Sequence, residues 1–181
     1  ETPGPVKDSK LTPRITETAK ALFKIYLALT VACALAYWVA GMDIFDAVGH
    51  SFSTVAIGGF STHDASIGYF DSSLIMAICS FFMVLAGLNF ALHFHVWHSR
   101  RLIFYAQDAE ARLYIALLLF GILVTCLYLY YSGTYGWNES VRQGIFQLIS
   151  IMTTTGFTTT EFHTWPTFLP FFLLFLSFFG A

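Results

Sequence analysis

Charge is what this chain has least of. Asp, Glu, Lys and Arg make up only 11% of its 181 residues, beside 56% hydrophobic and 18% aromatic. A soluble domain carries about one quarter charged residues, so this composition points away from a water-exposed globule and towards a lipid solvent. Cysteine is scarce as well. Cys33, Cys79 and Cys126 lie far apart, each inside an apolar run and without Cys-x-x-Cys spacing. They support neither a disulfide framework nor a zinc site and read as membrane-embedded thiols. Catalytic signatures are missing: no Gly-x-Ser-x-Gly or His-Glu-x-x-His occurs, and intramembrane serines such as Ser80 lack a histidine at a useful helical spacing. An intramembrane hydrolase stands only as an alternative of another class. A cleavable leader is not expected either, because the first apolar run is too long and no small-residue cleavage site follows it.

Four long apolar runs are present, at about 21–42, 74–97, 113–131 and 165–181, each near the ~20 residues that a spanning helix requires. They divide the chain into a polar N-terminal segment or linker (1–18), a first unit (19–98), a polar linker (99–112) and a second unit (113–181). The last run is still apolar at Phe178-Phe179-Gly180-Ala181, and the chain opens on Glu1 without methionine. Both features lead to the expectation of a fragment. Trp38, Trp97, Trp137 and Trp165 fall near the span ends, where an amphipathic ring prefers the headgroup layer.

Between the paired runs lie two shorter apolar stretches, 44–55 and 141–152, too short to cross a bilayer. Each leads into a glycine-bearing loop: Ile57-Gly58-Gly59-Phe60-Ser61-Thr62 within 56–62, and Thr154-Thr155-Gly156-Phe157-Thr158-Thr159 within 153–159. A single shift of 97 residues carries Ser53 onto Ser150, Gly59 onto Gly156, Phe60 onto Phe157, Thr62 onto Thr159 and Asp64 onto Glu161, which indicates internal duplication. Irregular backbone at membrane depth is tolerated only where protein buries it or water fills a cavity beside it. The pattern therefore predicts two re-entrant pore helices followed by loops lining an aqueous path.

Basic residues set the orientation. Eight of nine lie either before the first span (Lys7, Lys10, Arg14, Lys20, Lys24) or between the second and third (Arg100, Arg101, Arg112), so both places should be cytoplasmic. The glycine-bearing segments hold only Arg142 among basic residues but also Asp43, Asp46, Asp64, Asp71, Glu139 and Glu161. Outward loops of that sign attract cations. A monovalent cation leaves water only when a ring of oxygens replaces its hydration shell, and glycine permits backbone conformations that aim carbonyls at one axis. The short helices add the partial negative charge of their C-terminal ends.

This order of span, pore helix, Gly-Phe-Ser/Thr loop and span, repeated in one chain, resembles the Trk/Ktr/HKT superfamily of potassium transporters. The segment from Ala47 to Asp64 is similar to the second of that family's four units and Thr153 to Thr159 to the third. The resemblance implies an all-α integral membrane fold of two tandem helix–pore-loop–helix units around a pseudo-fourfold cation pore. It implies K+ as the transported ion, with the carbonyls of Ile57, Gly58, Gly59, Thr154, Thr155 and Gly156 as the filter walls, and no organic cofactor. It further implies a multi-pass protein of the bacterial inner membrane, in contact with lipid and not nucleic acid. The full-length protein would be a homodimer working with a cytosolic nucleotide-binding regulatory subunit. Because the Thr-Val-Gly-Tyr-Gly of ordinary potassium channels is absent, looser selectivity is expected, and two units of four should not conduct alone. Channel-like flow and ion-coupled symport need the same filter.

Other residues admit plainer readings. Phe60 and Phe157 are expected to pack outward and brace the loops. His93, His95 and His98 occupy spacings that split them between helix faces and read as interfacial. Asn89 suits a polar bond across helices and Gly87 a close contact, kink or hinge. Arg142 should pair locally with Glu139; Asp64 and Glu161 either concentrate cations or cap the loops; and 107–112 reads as a solvated connection. A non-conducting membrane subunit that uses the duplicated unit only for assembly remains the other alternative.

Overall fold

The computed structural model describes residues 11–180, and every regular element among them is helical. The first unit contains α1 (Leu11–Val39), α2 (Ile44–Val55), a 3-10 turn (Ser66–Phe70), α3 (Ser73–Ala86) and α4 (Phe90–Ser99). After the short α5 (Ile103–Gln107), the second unit contains α6 (Ala109–Tyr131), α7 (Trp137–Met152), a 3-10 turn (Phe162–Thr164) and α8 (Phe168–Ser177). Lys7 and Lys10, part of the expected polar N-terminal segment, lie outside the described residues. From Leu11 onward that segment is the start of α1 rather than a linker.

Two helices, α1 and α6, are individually long and apolar enough to cross a membrane. The expected second span, 74–97, is not one rod: α3 and α4 meet at a 92° bend across Gly87-Leu88-Asn89. Apolarity is continuous through this stretch and conceals the break. Three local features make it. The space beside Gly87 is filled by the Tyr114 hydroxyl from α6, which leaves no room for a side chain. The Asn89 side chain accepts from the Ala91 amide and so starts a new helix. Leu85 O then accepts from His93 Nε2 at 2.9 Å, and the other ring nitrogen of His93 meets the Tyr105 hydroxyl at 2.5 Å. The freed backbone is thus satisfied by protein, as a dry setting requires. His93 is buried in this corner instead of sitting at an interface. The expected fourth span is likewise shorter, its helix ending at Ser177.

The polar faces of α2 and α7 are turned inward. In α2, Asp46, His50, Ser51, Ser53 and Thr54 are buried, while Phe45 and Phe52 are exposed. In α7, Ser140, Gln143, Gln147 and Ser150 are buried. Such an inside-out pattern belongs to a helix wrapped by other helices: α2 packs on α1 and α3, and α7 on α3, α6 and α8. The α7–α3 contact ties the two units together, and the core between them includes Met76, Met83, Phe146, Ile149 and Met152. Trp165, expected at a headgroup boundary, is buried and donates its indole N–H to the Tyr135 hydroxyl at 3.3 Å.

Candidate functional site

Both short helices end in the same way. The amides of Ala56 and Ile57 donate to Phe52 O and Thr54 O, and the equivalent amides of Thr153 and Thr154 donate to Ile149 O and Ile151 O. The chain then turns through the left-handed region at Ile57 (φ 53°) and again at Gly59 (φ 65°); Thr154 (φ 59°) and Gly156 (φ 88°) repeat the turns. A left-handed β-branched residue is a backbone outlier, held only where its surroundings over-determine it. Two such outliers at duplicated positions mark these loops as built features.

The loops meet. A Cβ placed on Gly59 would fall on the carbonyl oxygen of Thr155, with Gly156 C 3.1 Å away. Only glycine allows this backbone-to-backbone approach. Beyond the glycines, Gly68 donates to Thr158 O at 3.1 Å, and the Thr158 amide donates to Ser66 Oγ at 3.2 Å. The first unit's 3-10 turn therefore clasps the second loop. The structure places all six candidate carbonyl donors in this pair of loops: Ile57, Gly58 and Gly59 on one, Thr154, Thr155 and Gly156 on the other.

One of the phenylalanines differs from expectation. Phe157 does not pack outward: it is fully buried, its ring 6.0 Å from that of His50 in the first unit. Phe60 does face outward, 81% exposed, with its ring beside Gly58 of its own loop. Arg142 reaches beyond its own helix, 2.8 Å from Asp71 of the first unit and 3.8 Å from Glu139.

A set of side chains that the glycine repeat did not single out supports each loop from behind. In the first unit, Asp46 accepts from the Thr62 hydroxyl at 2.5 Å and bonds His63 Nε2 at 2.8 Å, while His50 Nε2 lies 2.9 Å from Ser61 Oγ. Burial pushes the Asp46 carboxyl up, but the hydrogen bonds from His63 and Thr62 outweigh it and hold the group below its ordinary value. In the second unit, Gln143 accepts from the Thr159 hydroxyl at 2.5 Å, Gln147 accepts from the Thr159 amide at 3.2 Å, and Ser150 Oγ donates to Phe157 O at 2.6 Å. The shift of 97 that relates the glycines also relates Asp46 to Gln143 and His50 to Gln147. Polar residues one turn apart on a short apolar helix were the available signal.

The Ser61–His50 pair is no hydrolytic device. His50 Nδ1 meets the backbone carbonyl of Asp46 rather than a carboxylate, the ring is fully buried, and Ser61 Oγ also accepts from the His63 amide. Among the described residues, no group of three or more His, Cys, Asp or Glu could hold a metal ion.

Residues 1–181 match the family described as TrkH, a cation transport protein. The chain is 57% identical over 181 residues to the Trk system potassium uptake protein TrkH of Halomonas elongata, covering all of this chain and 38% of that protein. It is 51% identical to TrkH of Escherichia coli K12 over 182 residues, with the same coverage, and 39% identical to TrkG of that organism over 181 residues, covering 37% of it. The crystal structure of the potassium transporter TrkH from Vibrio parahaemolyticus superposes with a TM-score of 0.89 at 52% identity, over 92% of this chain and 36% of that one. The chain thus spans somewhat over a third of the length of these relatives.

Proposed function

The chain belongs to the TrkH family of cation transport proteins, and from that premise we propose that it supplies two adjacent walls of a potassium-selective path through the bacterial inner membrane. The single observation that carries this reading is the pair of glycine loops, equal in backbone turn and pressed together at Gly59 and Thr155. Carbonyls of Ile57, Gly58 and Gly59, and of Thr154, Thr155 and Gly156, replace water around a dehydrating K+. The C-terminal ends of α2 and α7 lead directly into the loops and favour a cation there. Transport is permeation, not catalysis, and K+ is cargo. The full-length parent works as a homodimer, and a cytosolic nucleotide-binding subunit regulates it. The relatives' printed names, all potassium uptake proteins of Trk systems, support the choice of ion.

The test is K+ uptake by the full-length parent in a transport-deficient cell, with Na+ measured in parallel, for wild type, Gly59→Ser and Gly156→Ser. Raised Na+ entry or lost K+ preference in both variants supports the assignment. Unchanged selectivity at normal abundance removes it and favours a non-conducting, structural subunit.

A further inference from the structure

The two loops are held by different chemistry at the same positions, and the difference has a functional sign. His50 is buried beneath the first loop, and its hydrogen bonds fix its tautomer. Asp46 O, 2.8 Å from Nδ1, can only accept, so Nδ1 carries the proton. Nε2 of the neutral ring must then accept from the Ser61 hydroxyl at 2.9 Å. Ser61 Oγ in turn accepts from the His63 amide at 3.1 Å, and His63 Nε2 bonds Asp46 Oδ2 at 2.8 Å, so the chain of bonds returns to α2. A proton added to Nε2 of His50 reverses this bond: the ring then donates, and Ser61 Oγ, already accepting from the His63 amide, takes a second donor and must turn its own hydroxyl hydrogen to another acceptor, two residues beyond Gly59. The second loop has no such step. Gln143 and Gln147 present amide oxygens to Thr159 at 2.5 and 3.2 Å, and Thr160 stands where the first unit has His63.

We infer that Asp46, His50 and His63 are positioning residues that make the ion selectivity of the first loop sensitive to protons on the outer side, whereas the glutamine-held second loop is insensitive.

The groups around His50 fit this assignment. Asp46 and Asp43 face it from its own helix, and His63 from the loop. Tyr69 stacks on His63 with ring centroids 3.6 Å apart, and Phe70 meets His50 edge-on at 5.3 Å. Tyr37 of α1 bonds Thr54 through its hydroxyl, and the buried thiols Cys33 of α1 and Cys79 of α3 lie beside it. The helix α3 carries no charged side chain, and the second unit offers the Phe157 ring. Burial pulls the imidazole of His50 below its ordinary value of 6.5, so it is neutral in a neutral medium and charges only as the medium turns acid. The expected sign is therefore weaker K+ preference at low outer pH.

This inference rests on the filter reading, and the experiment separates the two. The full-length parent is reconstituted in proteoliposomes, and the K+/Na+ permeability ratio is read as outer pH falls from about 8 to about 5, the window of imidazole titration. Wild type should lose roughly threefold to tenfold in the ratio, the range that one hydrogen bond supports. The variant Asp46→Gln/His50→Gln/His63→Thr, which gives the first loop the second loop's chemistry, should show a flat profile. His50→Gln alone should flatten most of it. A flat wild-type profile overturns the inference without needing any variant to fold. A wild-type slope that persists in His50→Gln and in the triple variant overturns it as well. Gly59→Ser is measured alongside: a changed ratio leaves the filter reading standing whatever the slopes show, and an unchanged ratio removes both.

Discussion

Gly58 and Gly59 are neighbours in one loop, yet alanine should harm them unequally. Gly58 has no left-handed φ, and a Cβ there would meet the ring of Phe60 at 3.3 Å and Ser53 O at 3.6 Å. Phe60 is exposed and free to swing aside. An alanine whose backbone is compatible is close to neutral or even stabilising by about 0.5 kcal/mol, because it restricts the unfolded chain. At Gly59 the left-handed backbone itself costs alanine about 1–2 kcal/mol, equivalent to a factor of roughly 5 to 30 in loop population. The added methyl also lands on Thr155 O, so the second loop must move, and the atom displaced is one of the proposed ion ligands. The assay is the K+/Na+ uptake ratio of the full-length parent at matched membrane abundance. Gly59→Ala should lose at least about tenfold more selectivity than Gly58→Ala, a gap of the size that these energies imply. Equal losses, or a larger loss at Gly58, would refute the claim that loop-to-loop contact at Gly59 shapes the ion path.

Three further outcomes follow from the braces. Phe157→Ala removes a fully buried ring at the seam between the units and should cost about 3 kcal/mol, seen as a lower melting temperature of the detergent-solubilised parent. Thr159→Val leaves the buried Gln143 Oε1 without its hydroxyl donor and should cost about 1–3 kcal/mol in the same melt, with Thr159→Ser recovering most of it. Asp46→Asn should lower stability in the neutral range and become indistinguishable from wild type in acid: the native carboxyl is held below 3.8, so its contribution is complete above that value and is lost as pH falls through the lower native one.

The glycine loops were legible because duplication writes them twice, and a shift of 97 aligns Gly59 with Gly156 without any structure. The same shift relates Asp46 and His50 to Gln143 and Gln147, but unlike residue types hide the equivalence until the bonds to Thr62, Ser61 and Thr159 appear. The break at Gly87-Leu88-Asn89 was half legible: Gly87 suited a close contact or a kink and proves to be both, but the bend of 92° was not foreseen. Hydropathy measures a residue's preference for lipid, and it does not register the Asn89 cap or the partners, Tyr114 and Tyr105, that help to hold the bend from α6 and α5. The fates of Phe60 and Phe157 could not be told apart either, since the sequence presents them as equals and only the neighbouring unit distinguishes them.

That last inequality gives the seam a direction. The first unit meets the second through Gly59, which receives Thr155, and through the flank of His50, which receives Phe157. These two sides are unlike, so the contact is head-to-tail, and a head-to-tail contact carries a rotation that either closes into a ring or winds on without end. Among the described residues, the space beside Gly156 is open and the ring of Phe60 is bare. Two such units make an arc with a built-in sense of travel around the axis on which their loops converge.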